Sequence, residues 1–292
     1  MYAKCANTVD SERLQECREI VMKNVGAFSG LRGVLDAPLA CTLAVSGDPD
    51  GIMNSIVSAY EKMKKKCSDS KYLALVAMLL HNIGSPEELE SRVARGKVIY
   101  DCLKKRHPIN TDSHDTLMTL VLAYNEKPVE AIVDEAEQIY VSLKPIVRGE
   151  YAQTCALILT WSDRPAKVKC TRIKELYESL QTDKKNKYSN GPELAVLSAL
   201  SLIDDDDMTL TDDLLELSNL LSTKEGYLGG LHMTTYNKYL RMMHAAMLEM
   251  ADNMPEEMYL PEIASIYLSS LYLYELDEAA STAAATMSMM TQ

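Results

Sequence analysis

Two histidines and two aspartates fall within nine residues, at His107, Asp112, His114 and Asp115. Imidazole nitrogens and carboxylate oxygens are the donors that a transition metal takes, so this stretch is the first to weigh as a metal centre. No HExxH-type helical pair accompanies it. Asp112 or Ser113 instead suits the cap of a following helix, so the stretch reads as a connection and no metal is assigned. Asp204-Asp205-Asp206-Asp207, with Asp212 and Asp213 nearby, invites Ca²⁺. It lacks the alternating acidic loop and the closing bidentate Glu of a calcium site. It reads as a solvated turn that caps the next helix through Thr211 or Asp212.

Arg32 stands between Gly30 and Gly33. Glycines let a backbone approach a ligand closely, and a guanidinium fits a carboxylate or phosphate. The competing reading is an arginine that satisfies helix-end carbonyls in a tight turn. The Gly226–His232 stretch, with Gly229, Gly230 and His232, has the backbone freedom of a lid but not the G-x-x-x-x-G-K pattern of a phosphate loop, and an ordinary linker is the competing reading. Seven cysteines form no C-x-x-C pair and no zinc spacing. Four of them, Cys41, Cys102, Cys155 and Cys170, fall in expected helices, where a thiol acts as a small apolar residue. No nucleophile elbow is present and no cysteine has an obvious local histidine. No catalytic residue and no cofactor is assigned.

The elements that would position these residues show themselves by repetition. Ile99-Tyr100-Asp101-Cys102-Leu103-Lys104 returns as Ile139-Tyr140-Val141-Ser142-Leu143-Lys144, with weaker copies around Tyr60 and Tyr177. These tyrosines stand 40, 40 and 37 residues apart. Each phrase is preceded by an apolar run: 39–44, 73–80, 117–123, 155–159 and 194–200. Such runs, rich in Ala and Leu and poor in β-branched residues, favour helices buried on more than one face. Pro49, Pro86, Pro128, Pro165 and Pro255 lie 11 to 14 residues before a phrase tyrosine, the last being Tyr267, and proline suits the first turn of a helix. Ser85 and Glu88 form a possible capping box. Lysines close the phrases, where cations suit the negative end of a helix dipole; a basic ligand stripe is the alternative. The tyrosines Tyr60, Tyr100, Tyr140, Tyr177 and Tyr267 are expected to bury their rings between repeats and keep their hydroxyls wet; lining a concave groove is the functional alternative.

These features predict an all-α fold: an α-solenoid, or superhelix, of about six to seven antiparallel helical hairpins with a period near 40 residues. The expected organisation is a single helical-repeat domain over 1–292, with units at 1–30, 31–67, 68–108, 109–149, 150–188, 189–225 and 233–292. The Gly-rich insertion is 226–232. Val21 occupies the tyrosine register of the first unit. Met1 to Asn7 would be the last turn or two of a first helix that begins upstream, implying a segment cut away. Met233, Met242, Met243, Met247, Met250, Met254 and Met258 read as core filler near the end of the stack, with a plastic partner surface as the alternative.

Net charge is −12 and the sequence pI about 5.0. An acidic chain without a concentrated basic patch is a poor binder of phosphate backbones, so no nucleic-acid partner is expected. No stretch of about 18 uncharged apolar residues occurs, so no membrane span is expected. The N-terminus has no apolar signal core, and free cysteines suit a reducing cytoplasm.

The segment Gly26-Ala27-Phe28-Ser29-Gly30-Leu31-Arg32-Gly33, followed by Pro38-Leu39-Ala40, resembles the bacterial domain-of-unknown-function 4003 family. Tyr72-Leu73-Ala74-Leu75 and the glycines of 226–230 are similar to segments of the same family. The resemblance spans most of the chain. It implies a soluble, all-helical bacterial protein whose relatives are longer at the N-terminus, and it carries over no activity or catalytic residue.

The functional reading is a non-enzymatic scaffold that binds proteins or peptides on the long surfaces of a repeat stack. Arg32, Tyr60, Tyr100, Tyr140, Tyr177, Gly229, Gly230 and His232 are its candidate binding residues. The alternative is an enzyme or small-ligand sensor with a pocket at the inner face of the superhelix, near Arg32 and the Gly226–His232 loop.

Overall fold

A computed structural model of the chain describes residues 11–27, 29–80, 87–147, 149–181, 192–202, 209–224, 241–246 and 248–249. Among them the secondary structure is helical throughout. The helices are α1 Ser11–Asn24, α2 Asp36–Ala44, α3 Pro49–Lys64, α4 Lys71–Leu80, α5 Leu89–Arg106, α6 Ser113–Leu122, α7 Val129–Leu143, α8 Gly149–Leu159, α9 Ala166–Gln181, α10 Pro192–Leu200 and α11 Thr209–Ser222. A 3-10 turn at Gly33–Leu35 leads into α2, and residues 241–246 are also helical. The chain divides into two compact units, 1–129 and 130–292.

The helices are of two kinds, and residue spacing explains both. In α3, Met53, Ile56, Tyr60 and Met63 are buried, a stripe at three- and four-residue spacing. The same one-sided stripe recurs as Leu89, Val93, Gly96, Ile99 and Leu103 in α5. In α7 it is Ile132, Val133, Ala136, Ile139, Tyr140 and Leu143. By contrast α4 buries Tyr72 through Met78 and Leu80, and α6 buries everything from Leu117 to Leu122. A helix apolar all round needs neighbours on several sides. In the first unit α4 packs on both α3 and α6, α6 on α5, and α3 on α5. Helix α1 lies on α2 and α3. In the second unit α10 packs on α8 and α9, and α11 on α9.

Helix starts follow the local chemistry. Pro49 opens α3, and the Asp48 carboxylate accepts from the Gly51 N–H at 2.9 Å. Asp112 caps α6 in a reciprocal box with Asp115, so the carboxylates of the histidine-rich stretch are engaged in capping. The Ser85 box lies outside the described residues. One start was misplaced: α11 begins at Thr209, ahead of the expected cap. Thr211 is fully buried inside it, its hydroxyl 2.9 Å from that of Ser179 on α9. The side-chain contact places that threonine in the packing, where a cap was expected.

Helix ends are held by cations from neighbouring helices. Arg92 and Arg95 of α5 donate to the carbonyls of Ala123, Asn125 and Lys127 just beyond α6. Arg13 of α1 reaches Ser46 O beyond α2 at 3.4 Å. Arg13 precedes Val21, and Arg92 precedes Tyr100, by the same eight residues. Lys169 of α9, 3% exposed, donates to Leu159 O (2.8 Å) at the end of α8 and to Ser162 O (2.6 Å) beyond it, and pairs with Glu135 of α7. Orphan carbonyls at a helix end need such donors.

Candidate functional site

The segment that carries Arg32 is built around a tyrosine. After α1 the chain turns through Gly26–Gly33, and Gly33 sits at φ +76°, a conformation that favours glycine. Gly30 presses on Tyr60 of α3. Its N–H donates to Tyr60 Oη at 3.1 Å, and the tyrosine hydroxyl donates in turn to Asp69 Oδ1. Asp69 Oδ2 lies 3.3 Å from Lys64 Nζ, and that ammonium stands 5.1 Å from the Tyr60 ring centre. A Cβ on Gly30 would come within 2.7 Å of Tyr60 Oη and 3.1 Å of the Ser70 carbonyl oxygen. Burial raises the Tyr60 pKa, and the bond to the Asp69 carboxylate adds to it. The hydroxyl is therefore a neutral donor at neutral pH.

Arg32 itself faces inward to the same turn. Its Nε lies 2.9 Å from Asp36 Oδ1, an ion pair whose angle is too bent for a hydrogen bond. Its Nη1 donates to Val25 O, just past the end of α1, at 3.4 Å. The side chain is one-fifth exposed. The guanidinium thus does for α1 what Arg92 and Arg95 do for α6.

The tyrosines occupy different environments. Tyr60 and Tyr140 are buried, at 1% and 5% exposure, whereas Tyr100 and Tyr177 are half-buried. The expectation of a wet hydroxyl fails at Tyr60, because the Gly30 turn supplies a backbone donor and Asp69 an acceptor. Lysines stack near three of the rings: Lys64 at Tyr60, Lys97 at Tyr100 and Lys144 at Tyr140, at 5.1 to 5.6 Å. Burial raises the pKa of Tyr100, with the carboxylates of Asp115, Asp112 and Asp101 adding to it. Tyr267, Gly229, Gly230, His232 and the Asp204–Asp207 run lie outside the described residues.

His114 is buried beneath the start of α6, its ring T-shaped against Tyr72 of α4 with centres 5.3 Å apart. Burial pushes its pKa down to about 4, against a smaller upward pull from Asp112. A neutral, packed imidazole is a core group here. Among the described residues no cluster of three His, Cys, Asp or Glu side chains is arranged to hold a metal ion. Cys17, Cys67, Cys155 and Cys170 are buried and unbridged, and burial drives the Cys155 pKa up to about 12, far from a reactive thiolate. Met242 and Met243 are buried.

Sequence reasoning missed the staples made by Arg13, Arg92, Arg95 and Lys169. One signal existed: basic residues interrupt the N-terminal halves of helices whose first turns favour acids.

The described part of the molecule is therefore an all-helical protein in which two-faced helices are covered by one-faced ones. The chain belongs to the family described as "Protein of unknown function (DUF4003)", which matches residues 1–275. No curated protein and no solved structure matches the chain. Among the described residues no helix is long and apolar enough to cross a membrane.

Proposed function

We propose that this protein is a non-enzymatic scaffold that binds a protein or peptide along an α-solenoid of about 40-residue helical hairpins in the bacterial cytoplasm. The observation that supports the solenoid most is the alternation of packing. Within the first unit the two-faced helices α4 and α6 touch each other while the one-faced α3 and α5 do the same. Helices α8 with α10, and α9 with α11, repeat that pattern in the second. The helix ends support it too. The last turns after α2, α6, α8 and α10 each close with an i→i−4 backbone bond followed by an i→i−3 bond, at Val45 and Ser46, Ala123 and Tyr124, Thr160 and Trp161, and Ser201 and Leu202. Stacked hairpins expose extended faces suited to chain segments. The candidate polar groups at the Gly30 turn are meanwhile spent on one another, which leaves less for chemistry.

The test is affinity capture with the immobilised full chain, wild type against Tyr100→Ala/Tyr177→Ala, the two half-buried phrase tyrosines. One saturable protein partner whose capture weakens in the variant supports the scaffold. Depletion of a single small molecule from a metabolite extract, with no protein retained above abundance, overturns it in favour of a ligand sensor or enzyme.

A further inference from the structure

Helices α1 and α2, both in the first unit, are pinned to each other at both ends. Arg13, near the start of α1, donates to Ser46 O just past the end of α2. At the opposite end Arg32 donates to Val25 O just past α1 and pairs with Asp36, the first residue of α2. The two helices therefore run antiparallel, and positions along them can be matched. Cys17 lies four residues beyond Arg13, and Cys41 five residues before Ser46. At about 1.5 Å per residue these are about 6 Å and about 7.5 Å from the same pin, so the two cysteines stand at one level of the pair.

Their surroundings differ. Cys17 is fully buried, Cys41 is half-buried, and both are free thiols. Burial raises the Cys17 pKa; Arg13 pulls it down, while Glu16, Asp50 and Cys41 push it up. A push from Cys41 is felt only across a short separation, because the interaction falls with distance. Packed helix axes lie about 8–10 Å apart and each Cα stands about 2.3 Å off its axis. Facing Cα atoms then come about 3.5–5.5 Å apart, which overlaps the range of about 4.4–6.8 Å that a disulfide spans. Cys155 and Cys170 lack this arrangement. Both are buried, and their thiols are bonded to different neighbours, Ser198 on α10 and Ser142 on α7.

We propose that Cys17 and Cys41 form a dithiol that responds to hydrogen peroxide, with a reversible disulfide fastening α1 to α2. Cys41, the half-buried member, meets the oxidant. Its thiolate attacks one peroxide oxygen, the O–O bond breaks, hydroxide leaves, and Cys41 becomes a sulfenic acid. Cys17, shielded from solvent, is the resolving thiol. Its thiolate attacks Cys41 Sγ, the S–S bond forms, and the sulfenic oxygen leaves as hydroxide. The two hydroxides take up the two thiol protons. Two thiols and one hydrogen peroxide thus give one disulfide and two waters; the sulphurs lose two electrons and the peroxide gains them. Oxidation then holds α1, the glycine turn and α2 as one closed loop. This device stands whether or not the scaffold reading does.

The experiment exposes the folded full chain to hydrogen peroxide, blocks remaining thiols with N-ethylmaleimide, digests with trypsin without reductant and reads the peptides by mass spectrometry. The expected product joins residues 14–18 to residues 33–62, is two hydrogens lighter than their sum, and returns to separate thiols with dithiothreitol. Cys17→Ala should leave Cys41 as a sulfenic acid that dimedone traps. Cys41→Ser should slow oxidation of Cys17 about tenfold, because a buried thiol then waits on local opening. The oxidised wild type should melt at a higher temperature than the reduced, since the bond closes a loop in the unfolded chain, and Cys17→Ala should abolish that difference. Absence of the joined peptide overturns the proposal, as does equal joining of Cys17 to any other cysteine or equal joining in denaturing urea. So does oxidation of Cys17 that is indifferent to Cys41→Ser.

Discussion

Gly30→Ala, combined with Tyr60→Phe in a double-mutant cycle, probes the contact on which the first unit's glycine turn closes. The new Cβ would sit 2.7 Å from Tyr60 Oη, 3.1 Å from Ser70 O and 3.3 Å from Asp69 Oδ1. The first distance is well inside carbon–oxygen contact. Tyr60 is 1% exposed, so it has no open space to swing into, and Ser70 O is backbone. Overpacking of this kind costs about 1–3 kcal/mol. Tyr60→Phe removes the acceptor of the Gly30 N–H and the donor to Asp69, about 1–2 kcal/mol together; Asp69 keeps Lys64 and water. The two losses overlap, since phenylalanine lacks the atom that the new methyl strikes. The double variant should therefore be less destabilised than the sum of the singles by about 1 kcal/mol or more. Urea unfolding of the four proteins, followed by far-ultraviolet circular dichroism, gives the coupling. Additivity within about 0.3 kcal/mol would refute the contact.

Lys169→Met strips two carbonyls and Glu135 of their buried cation and should destabilise by about 3–5 kcal/mol. Glu135→Gln, which leaves the lysine its carbonyls, should lose less, and denaturant midpoints rank the two. His114 titrates near 4 folded against 6.5 in the reference state. The unfolded chain therefore binds the extra proton between those values, and stability should fall by about 3 kcal/mol as pH drops from 6.5 to 4. His114→Phe, which keeps the ring contact with Tyr72, should flatten that slope in thermal melts taken across the range. Gly96→Ala would place a Cβ 3.0 Å from Leu120 Cα and Thr119 O on α6. A gain in helix propensity of about 1 kcal/mol should not offset the displaced backbone, so a lower melting temperature is expected, whereas an unchanged or higher one would show that α5 and α6 separate freely.

Most helices were legible because their signals are local. The apolar runs at 73–80 and 117–123 became α4 and α6, and the prolines at 49, 128 and 165 mark or precede helix starts. Asp112 capped α6 as its position implied. Thr211 was misread because a threonine among aspartates resembles a cap until its neighbour is known. The neighbour is Ser179, more than thirty residues away in sequence.

Periodicity, capping chemistry and composition determined by themselves that the described residues are helical, and which stretches form helices apolar on nearly every side. Each of those properties depends on residues within a turn or two of one another. Only the tertiary structure decided that Tyr60 would surrender its hydroxyl to Gly30 and Asp69, which of the two sequence readings of Arg32 holds and which helix end it serves, and that Lys169 would be buried against Glu135. Those pairings join residues 7 to 34 positions apart. Their strength comes from exclusion of water by packing, which a linear pattern of residue types does not encode.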